Sequence, residues 1–342
     1  MRFKDVAARV VLAGLVALAL TRPAASQSLG VANSFAVLSS GDVTFKNRVN
    51  VSQVSVSGAP MCPGAVGCPG DVGGVTVLMG RGNASSPDTV SGDVIGSASS
   101  SAGLNCAKNA PGTTAICLGN DSEVAGLCAT GGGAIDSPTE CSLGSDTTGS
   151  NPDVTTLLPQ ADSAIVSFSA SLAALPATQT LAEIALGTRG STTITTTAGV
   201  NVITIPAITT GTNSTVTITA GPTDTVVINV GSSSAPGSLQ LGNGASVVLS
   251  GGITPDRVIF NLVGTSTTAQ LGNQTVFNGS IVAPQGQFTS GDGNTPSPVL
   301  INGALLFGGS VSLGNNTNLN FYPFAGVSST GGGGTSSSST SS

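Results

Sequence analysis

Thr215-Val216-Thr217-Ile218-Thr219, followed by Thr225-Val226-Val227-Ile228-Asn229-Val230, is the stretch that decides the fold. In the first run hydroxyl and aliphatic side chains alternate with period two, so one set faces a core and the other faces outward, which is a strand pattern. Thr193-Ile194-Thr195 repeats it upstream and Val247-Val248-Leu249 downstream. Each run is short and ends at Gly, Asn or Pro, so the chain keeps turning.

A triplet recurs in step with these runs, at Leu241-Gly242-Asn243, Leu271-Gly272-Asn273 and Leu313-Gly314-Asn315, with an outlying copy at Leu118-Gly119-Asn120. Gly and Asn both tolerate positive φ, so the triplet reads as a strand running into a tight corner. Successive copies lie about 30 and about 42 residues apart, which excludes a strict array and suits an irregular solenoid with insertions in its turns. A β-sandwich also uses short alternating strands. The repeated corners, and one long helix between two β regions, favour the solenoid.

That helix is predicted over residues 154–175, where Leu158, Ala161, Ile165, Phe168, Leu172 and Leu175 recur at three- and four-residue steps. Pro159 fits its first turn and Pro176 ends it. The apolar stripe must pack on something, and the side of a sheet stack would satisfy it. Ser34 to Leu38 and Asp42 to Phe45 read as further short strands, whereas residues 46–150 lose clear periodicity and read as loop-rich, with occasional strands such as Gly74 to Leu78.

Composition agrees with a β stack. Charged residues are 8% and aromatic residues 3% of the chain, so neither the charge of a disordered protein nor the bulky core of a typical globular one is present. Small β-branched residues are expected to fill the core. Residues 1–26 read as an export signal, with Arg2, Lys4 and Arg9 ahead of the apolar run Val10 to Leu20 and small residues after Pro23. That run is about half the roughly 20 residues a bilayer-spanning helix needs. After cleavage six cations face fifteen acids, and the cations (Lys46, Arg48, Arg81, Lys108, Arg189, Arg257) are scattered. Nucleic acid needs a clustered basic footprint and is excluded as a partner.

Six cysteines, Cys62, Cys68, Cys106, Cys117, Cys128 and Cys141, fall in one Gly- and Pro-rich segment of this exported chain and are expected to form disulfides, in any of the fifteen pairings. Without a histidine or a CxxC pair, a zinc site is not expected. Residues 327–342, almost wholly Ser, Thr and Gly, are expected to be a disordered tail.

The opening Leu29-Gly30-Val31-Ala32, with Phe35-Ala36-Val37-Leu38 and Gly41-Asp42-Val43, resembles that of the ice-binding-like adhesins called choice-of-anchor A proteins. These are related to the right-handed β-solenoid ice-binding proteins. The likeness continues through Ser169 to Pro176, Val258 to Leu262 and Asn278 to Pro284. It implies a mainly β fold, a right-handed parallel β-solenoid with one long flanking α-helix, spanning 27–326 as a single domain and displayed at a surface. Relative to the family pattern the cysteine-rich segment 62–141 looks like an insertion, and no anchoring tail is recognisable.

No catalytic group is expected. The absence of histidine removes Ser-His, Cys-His and His-metal arrangements, and the acids of the second half, Asp224, Asp256 and Asp292, are too far apart in sequence for an evident carboxylate pair. Asn120-Asp121-Ser122-Glu123 and Asp292-Gly293-Asn294 could offer oxygen ligands but match no calcium loop, so neither metal nor cofactor is expected. The candidate binding face is a row of outward threonines, Thr193, Thr195 and Thr197 with Thr215, Thr217 and Thr219, which stacked rungs would align. The function expected is that of a secreted or cell-surface adhesin holding an extracellular surface, glycan or matrix protein, with ice binding as the alternative.

Overall fold

The computed structural model describes residues 28–53, 71–80, 87–98, 103–105, 110–112, 114–119, 122–136 and 141–327. The expected signal, the expected tail beyond Val327, and Cys62, Cys68 and Cys106 lie outside these residues; Val327 itself is buried. The described chain is mainly β: short strands coil around one apolar column and form three sheets, of eleven, twelve and nine strands. Every pairing is parallel except around the hairpin Gly103–Asn105 and Ala110–Gly112, at one end of the second sheet. This is the β-solenoid with a flanking helix read from the alternation.

Each coil gives one strand to each sheet. The coil Val200–Ile205, Ile208–Thr210 and Thr215–Thr219 stacks on the coil Thr225–Gly231, Ser238–Leu241 and Ser246–Ser250, in unbroken register from Val200↔Thr225 to Ile205↔Val230 in the first sheet. Inward positions are aliphatic and shut off from solvent, with Ile203, Ile218, Ile228 and Leu239 all 0% exposed. The core is not built from small residues alone. Phe35, Phe45, Phe260, Phe277, Phe288, Phe307 and Phe321 are fully buried, and Phe260 and Phe277 meet at 5.0 Å between ring centroids. Seven of the ten phenylalanines thus serve the coils around the middle of the column.

The coils do not stack in chain order. The first coil (Phe35–Ser39, Val43–Phe45, Asn50–Gln53) lies mid-column, and the last (Leu305–Phe307, Val311–Leu313, Thr317–Phe321) pairs with it at Val37↔Leu305, Val43↔Val311 and Val51↔Leu319. From there the chain climbs outward to Ser145–Asp146. A helix carries it back, and it re-enters at the far end with Gln179–Thr180 to wind inward.

The described residues between 71 and 146, within the stretch 46–150 expected to be loop-rich, supply the outward climb. Asp71–Gly74, Val94–Gly96, Cys128–Thr130 and Ser145–Asp146 extend the first sheet, and two- to four-residue strands extend the other two. Runs this short cannot display a period of two, and their walls use Asp, Gly and Ala. Gly73 shows why: a Cβ there would sit 2.8 Å from both Leu158 Cδ1 and the Phe35 ring. Cys128 and Cys141 are joined by a disulfide within this region, and Cys117 is also disulfide-bonded.

The helix, α1 (Leu158–Ala173), follows a wider turn at Asp153–Leu157. Leu158, Ala161, Ile165, Phe168 and Leu172 are buried as the stripe requires, and so is Ser169. α1 packs on Gly30–Ser34 and on the first-sheet strands Phe35–Ser39, Thr225–Gly231, Val258–Val263 and Ser280–Ala283. Its seat is polar at one point. Asn261 Nδ2 donates to the Ser169 carbonyl (3.0 Å) and to Asn229 Oδ1 (2.8 Å), Ser169 Oγ donates to Asn261 Oδ1 (2.6 Å), and Asn229 Nδ2 donates to the Leu172 carbonyl (3.0 Å).

The triplets do mark stacked corners, at the ends of second-sheet strands, but for a different reason from the one expected. Positive φ falls one residue later, at Gly244, Gln274 and Asn316, and at Arg48, Arg189 and Asn213 in equivalent corners. The triplet glycine is needed for closeness. A Cβ on Gly242 would lie 2.5 Å from the Gly211 backbone, and one on Gly272 would lie 2.6 Å from the Asn243 nitrogen. The asparagine stitches coils together: Asn243 Oδ1 accepts from Asn273 N (2.9 Å), Asn273 Oδ1 from Asp292 N (2.9 Å), Asp292 Oδ1 from Asn315 N (2.9 Å) and Asn315 Oδ1 from Asn47 N (3.1 Å).

Candidate binding faces

α1 covers the outer side of the first sheet, which leaves the second and third sheets as open walls. Thr193, Thr195, Thr215, Thr217 and Thr219 stand on the third, paired Thr193↔Thr217 and Thr195↔Thr219, with Ile194 and Ile218 turned into the core. Thr193 and Thr195 are exposed; the other three are half-buried. The row is two rungs deep. The next rung puts Ser246, Val248 and Ser250 in register with Thr215, Thr217 and Thr219.

Farther along, this wall becomes a ladder of amides, in which Asn302 donates to Asn278 (2.8 Å), Asn320 to Asn302 (2.8 Å) and Ser52 to Asn320 (3.1 Å). Thr197 is not on the wall. It sits past the strand, where its nitrogen and Oγ1 both donate to Asn201 Oδ1 (3.1 and 3.2 Å) and its carbonyl accepts from Asn201 Nδ2 (2.7 Å).

The second sheet carries a longer row that the sequence reading missed. Thr209, Gln240, Gln270, Thr289, Ser312 and Thr44 lie in register across six consecutive rungs, flanked by Ser238, Thr268 and Gln287. None carries a charge. The signal was present in Thr268-Ala269-Gln270-Leu271 and Gln287-Phe288-Thr289, where every second residue is polar, but glutamine does not stand out as a strand residue the way threonine does.

Two of the acids weighed as catalytic or metal-binding, Asp224 and Asp292, are engaged structurally. Asp224 accepts from Gly199 N (2.7 Å) and Gly221 N (2.6 Å), and Asp292 pairs with Lys46 at 3.2 Å besides holding its corner. Asn120 and Asp121 lie outside the described residues. Among the described residues no three His, Cys, Asp or Glu side chains converge to hold a metal ion, and no helix is long and apolar enough to cross a membrane.

Residues 28–318 match the family profile of an ice-binding-like adhesive domain. The chain belongs to that family. Solved structures similar to this ice-binding-like adhesive domain include an ice-binding protein from the Antarctic ascomycete Antarctomyces psychrotrophicus, at 16% identity and a TM-score of 0.47 over 86% of this chain and 98% of that one. Another is the ice-binding protein of an Arctic yeast, at 15% and 0.45 over 88% and 96%. A third is ice-binding protein 1 of Shewanella frigidimarina, at 14% and 0.40 over 86% and 97%. No curated protein matches the chain.

Buried acids set the pH response expected of this ice-binding-like adhesive domain. Asp71, Asp93 and Asp153 lie together beneath the start of α1. Burial pushes all three carboxyls up; repulsion from neighbouring carboxylates adds to it at Asp71 and Asp153, and a hydrogen bond from Leu127 N opposes it at Asp93. Burial also raises Asp88 to about 6, against the hydrogen bond it accepts from Val49 N (2.7 Å). Asp71 and Asp153 are 0% and 2% exposed, so a substrate cannot reach them.

A carboxyl raised in the folded state binds its proton more tightly there than in the unfolded chain, so stability is full below the unfolded value near 4 and is lost as pH rises through the folded one. Unfolding midpoints should therefore fall between about pH 4 and about pH 7, with Asp88 alone contributing roughly 2–3 kcal/mol. Thermal unfolding across that range checks this, with Asp88→Asn expected to flatten the slope; a midpoint that climbs with pH would contradict it. Asp292 and Asp146, held low by hydrogen bonds, act only at lower pH.

Proposed function

We propose that this chain is an extracellular adhesin, not an enzyme, and that it grips an extended uncharged surface, glycan or matrix protein through the outer wall of its second sheet. The observation that carries the reading is the six-rung row of neutral hydroxyl and amide side chains from Thr209 to Thr44, kept in register by a parallel ladder. Each group offers donors and acceptors at the rung spacing of about 4.8 Å. Many weak contacts along one rigid wall then add up, as multivalent attachment requires. The third wall is less suited because its asparagines largely satisfy one another.

The second reading is ice binding, favoured by the same regular rungs and absence of charge. The row's chemistry argues against it, because threonine, glutamine and serine alternate irregularly along the axis and a crystal lattice rewards identical repeats. Thermal hysteresis and recrystallisation assays, run beside retention on glycan- and matrix-coated surfaces, separate the two. We expect retention, its loss in Gln270→Arg/Thr289→Arg, and no effect on ice growth. Ice shaping that the same double substitution abolishes, without retention on any coating, would replace the adhesin with the ice binder.

A further inference from the structure

One end of the column is an open triple edge. Gln179–Thr180, Ile184–Leu186 and Ser191–Thr195 are the terminal strands of the three sheets, and among the described residues no strand pairs with their outer sides. The inner side chains of this end coil are less well covered than those behind them. Ile184 is 8% exposed and Leu181 and Leu186 are half-buried, whereas Ile208 and Leu239, on the next two rungs, are 1% and 0% exposed. A Cβ on Gly187 would meet nothing within 4 Å.

Strand edges recruit other chains unless lysine, proline or a bulge blocks them. Residues 177–200 contain neither lysine nor proline, and all three edge strands pair with the coil behind them in unbroken register. Glu183 and Arg189 are the two charged residues of this coil. They are of opposite sign, exposed, and placed on either side of the strand Ile184–Leu186. Among the described residues the ion pair formed is Lys46 with Asp292, and neither Glu183 nor Arg189 has one.

The backbone selects how a second copy would fit. Ile184 N donates to the Ala207 carbonyl (3.0 Å) and the Leu186 carbonyl accepts from Gly211 N (2.7 Å), so both residues turn their peptide groups toward the coil behind. Peptide groups alternate in direction along a strand, so the N–H and C=O of Ala185 point out of the open end. A copy related by a two-fold axis at Ala185 meets this strand antiparallel. Each Ala185 then exchanges both hydrogen bonds with the other, and Ile184 of one copy lies across from Leu186 of the other, which joins the two apolar columns. Glu183 of one copy and Arg189 of the other fall on a diagonal that long side chains can span, and the axis repeats the pair.

We propose that two copies of this chain join end to end through these strands, as a two-fold dimer with opposite charges matched across the seam. A head-to-tail stack has no matching edge, because the second sheet ends at its other extremity in the antiparallel hairpin of Gly103–Asn105 and Ala110–Gly112. A two-fold contact uses one patch on both partners and closes at two copies. The seam lies beyond the row from Thr209 to Thr44, and the inference stands whether or not that row holds a surface.

The test is sedimentation velocity of the full chain, freed of its export signal, from about 1 to about 100 μM. We expect a dimer at the upper concentrations. Glu183→Arg and Arg189→Glu should each weaken it by about tenfold or more, because each turns two attractions into two repulsions. The double variant Glu183→Arg/Arg189→Glu should restore it, a rescue that damage to the fold could not produce. Ala185→Pro removes the outward N–H and spares the bonds to the coil behind, so it should leave a monomer whose circular dichroism is unchanged. Gln270→Arg/Thr289→Arg on the open wall should leave the dimer intact, so failure here and failure of the adhesive wall are told apart. The proposal is overturned if the chain is a monomer at every concentration, or if the double variant associates no better than the single ones. It is also overturned if removing residues 328–342 abolishes the dimer, which would assign the contact to the tail.

Discussion

Asn261→Leu should lower the stability of the fold by about 3 kcal/mol and loosen α1 before the coils beneath it. Asn261 is wholly buried and joins three partners: the Ser169 hydroxyl and carbonyl on the helix, and Asn229 on the neighbouring coil. Leucine nearly fills the volume, so the loss comes from stranded groups and not from a cavity. Each buried donor or acceptor left unpaired costs about 1–3 kcal/mol, and a linked network strands several together. Asn229→Ala should cost less, since Asn261 keeps its bonds to Ser169. Denaturant unfolding gives the magnitude, and amide exchange across residues 158–173 gives the location. Unchanged protection of the helix in the Asn261 variant would show that the apolar stripe alone seats it.

Gly314→Ala should cost about as much, whereas Gly187→Ala, at the equivalent corner of the end coil, should cost under about 1 kcal/mol. Both glycines follow a leucine at the end of a second-sheet strand. A Cβ on Gly314 would collide with the carbonyl oxygen of Gly291 in the coil next to it, while nothing lies within 4 Å of one on Gly187. The Gly291 carbonyl cannot retreat, because its coil is pinned by Asp292, which accepts from Asn315 N and donates its own N–H to Asn273. Neither glycine has positive φ, so the contrast isolates crowding between coils from backbone preference. Paired unfolding curves would decide the matter, and equal costs at the two positions would refute the crowding account.

How far the fold was legible depended on whether a feature is local. The stripe from Leu158 to Leu172 marked the helix because its period is written in one segment. Alternation marked the strands of residues 191–321, and the leucine-glycine-asparagine triplets marked their corners. The order of the coils was not legible, since nothing in Phe35 to Phe45 names Leu305 to Leu313 as its partner; parallel pairing is set by fit across the whole column. The rungs of residues 71–146 were hidden by their brevity and by glycines whose purpose lies in what they touch.

The candidate face divides in the same way. Thr193 and Thr217 were recognisable as outward residues, and Thr197 was not recognisable as a corner residue because its place depends on Asn201. The length of any row was beyond local reading, because it requires knowing that Val248 follows Thr217 and that Gln270 follows Gln240.

The meeting of first and last coils at mid-column bears on how the protein is made. Ser39 bonds to Gly309 across 270 residues, so the strands that leave the ribosome earliest wait for those that leave it last. Throughout synthesis one flank of that opening coil is a raw triple edge of unpaired amides and carbonyls, the kind of template that recruits stray chains. Closing the seam is a late, long-range step, so the yield of soluble protein should depend on chaperones that shield this edge until the final strands arrive.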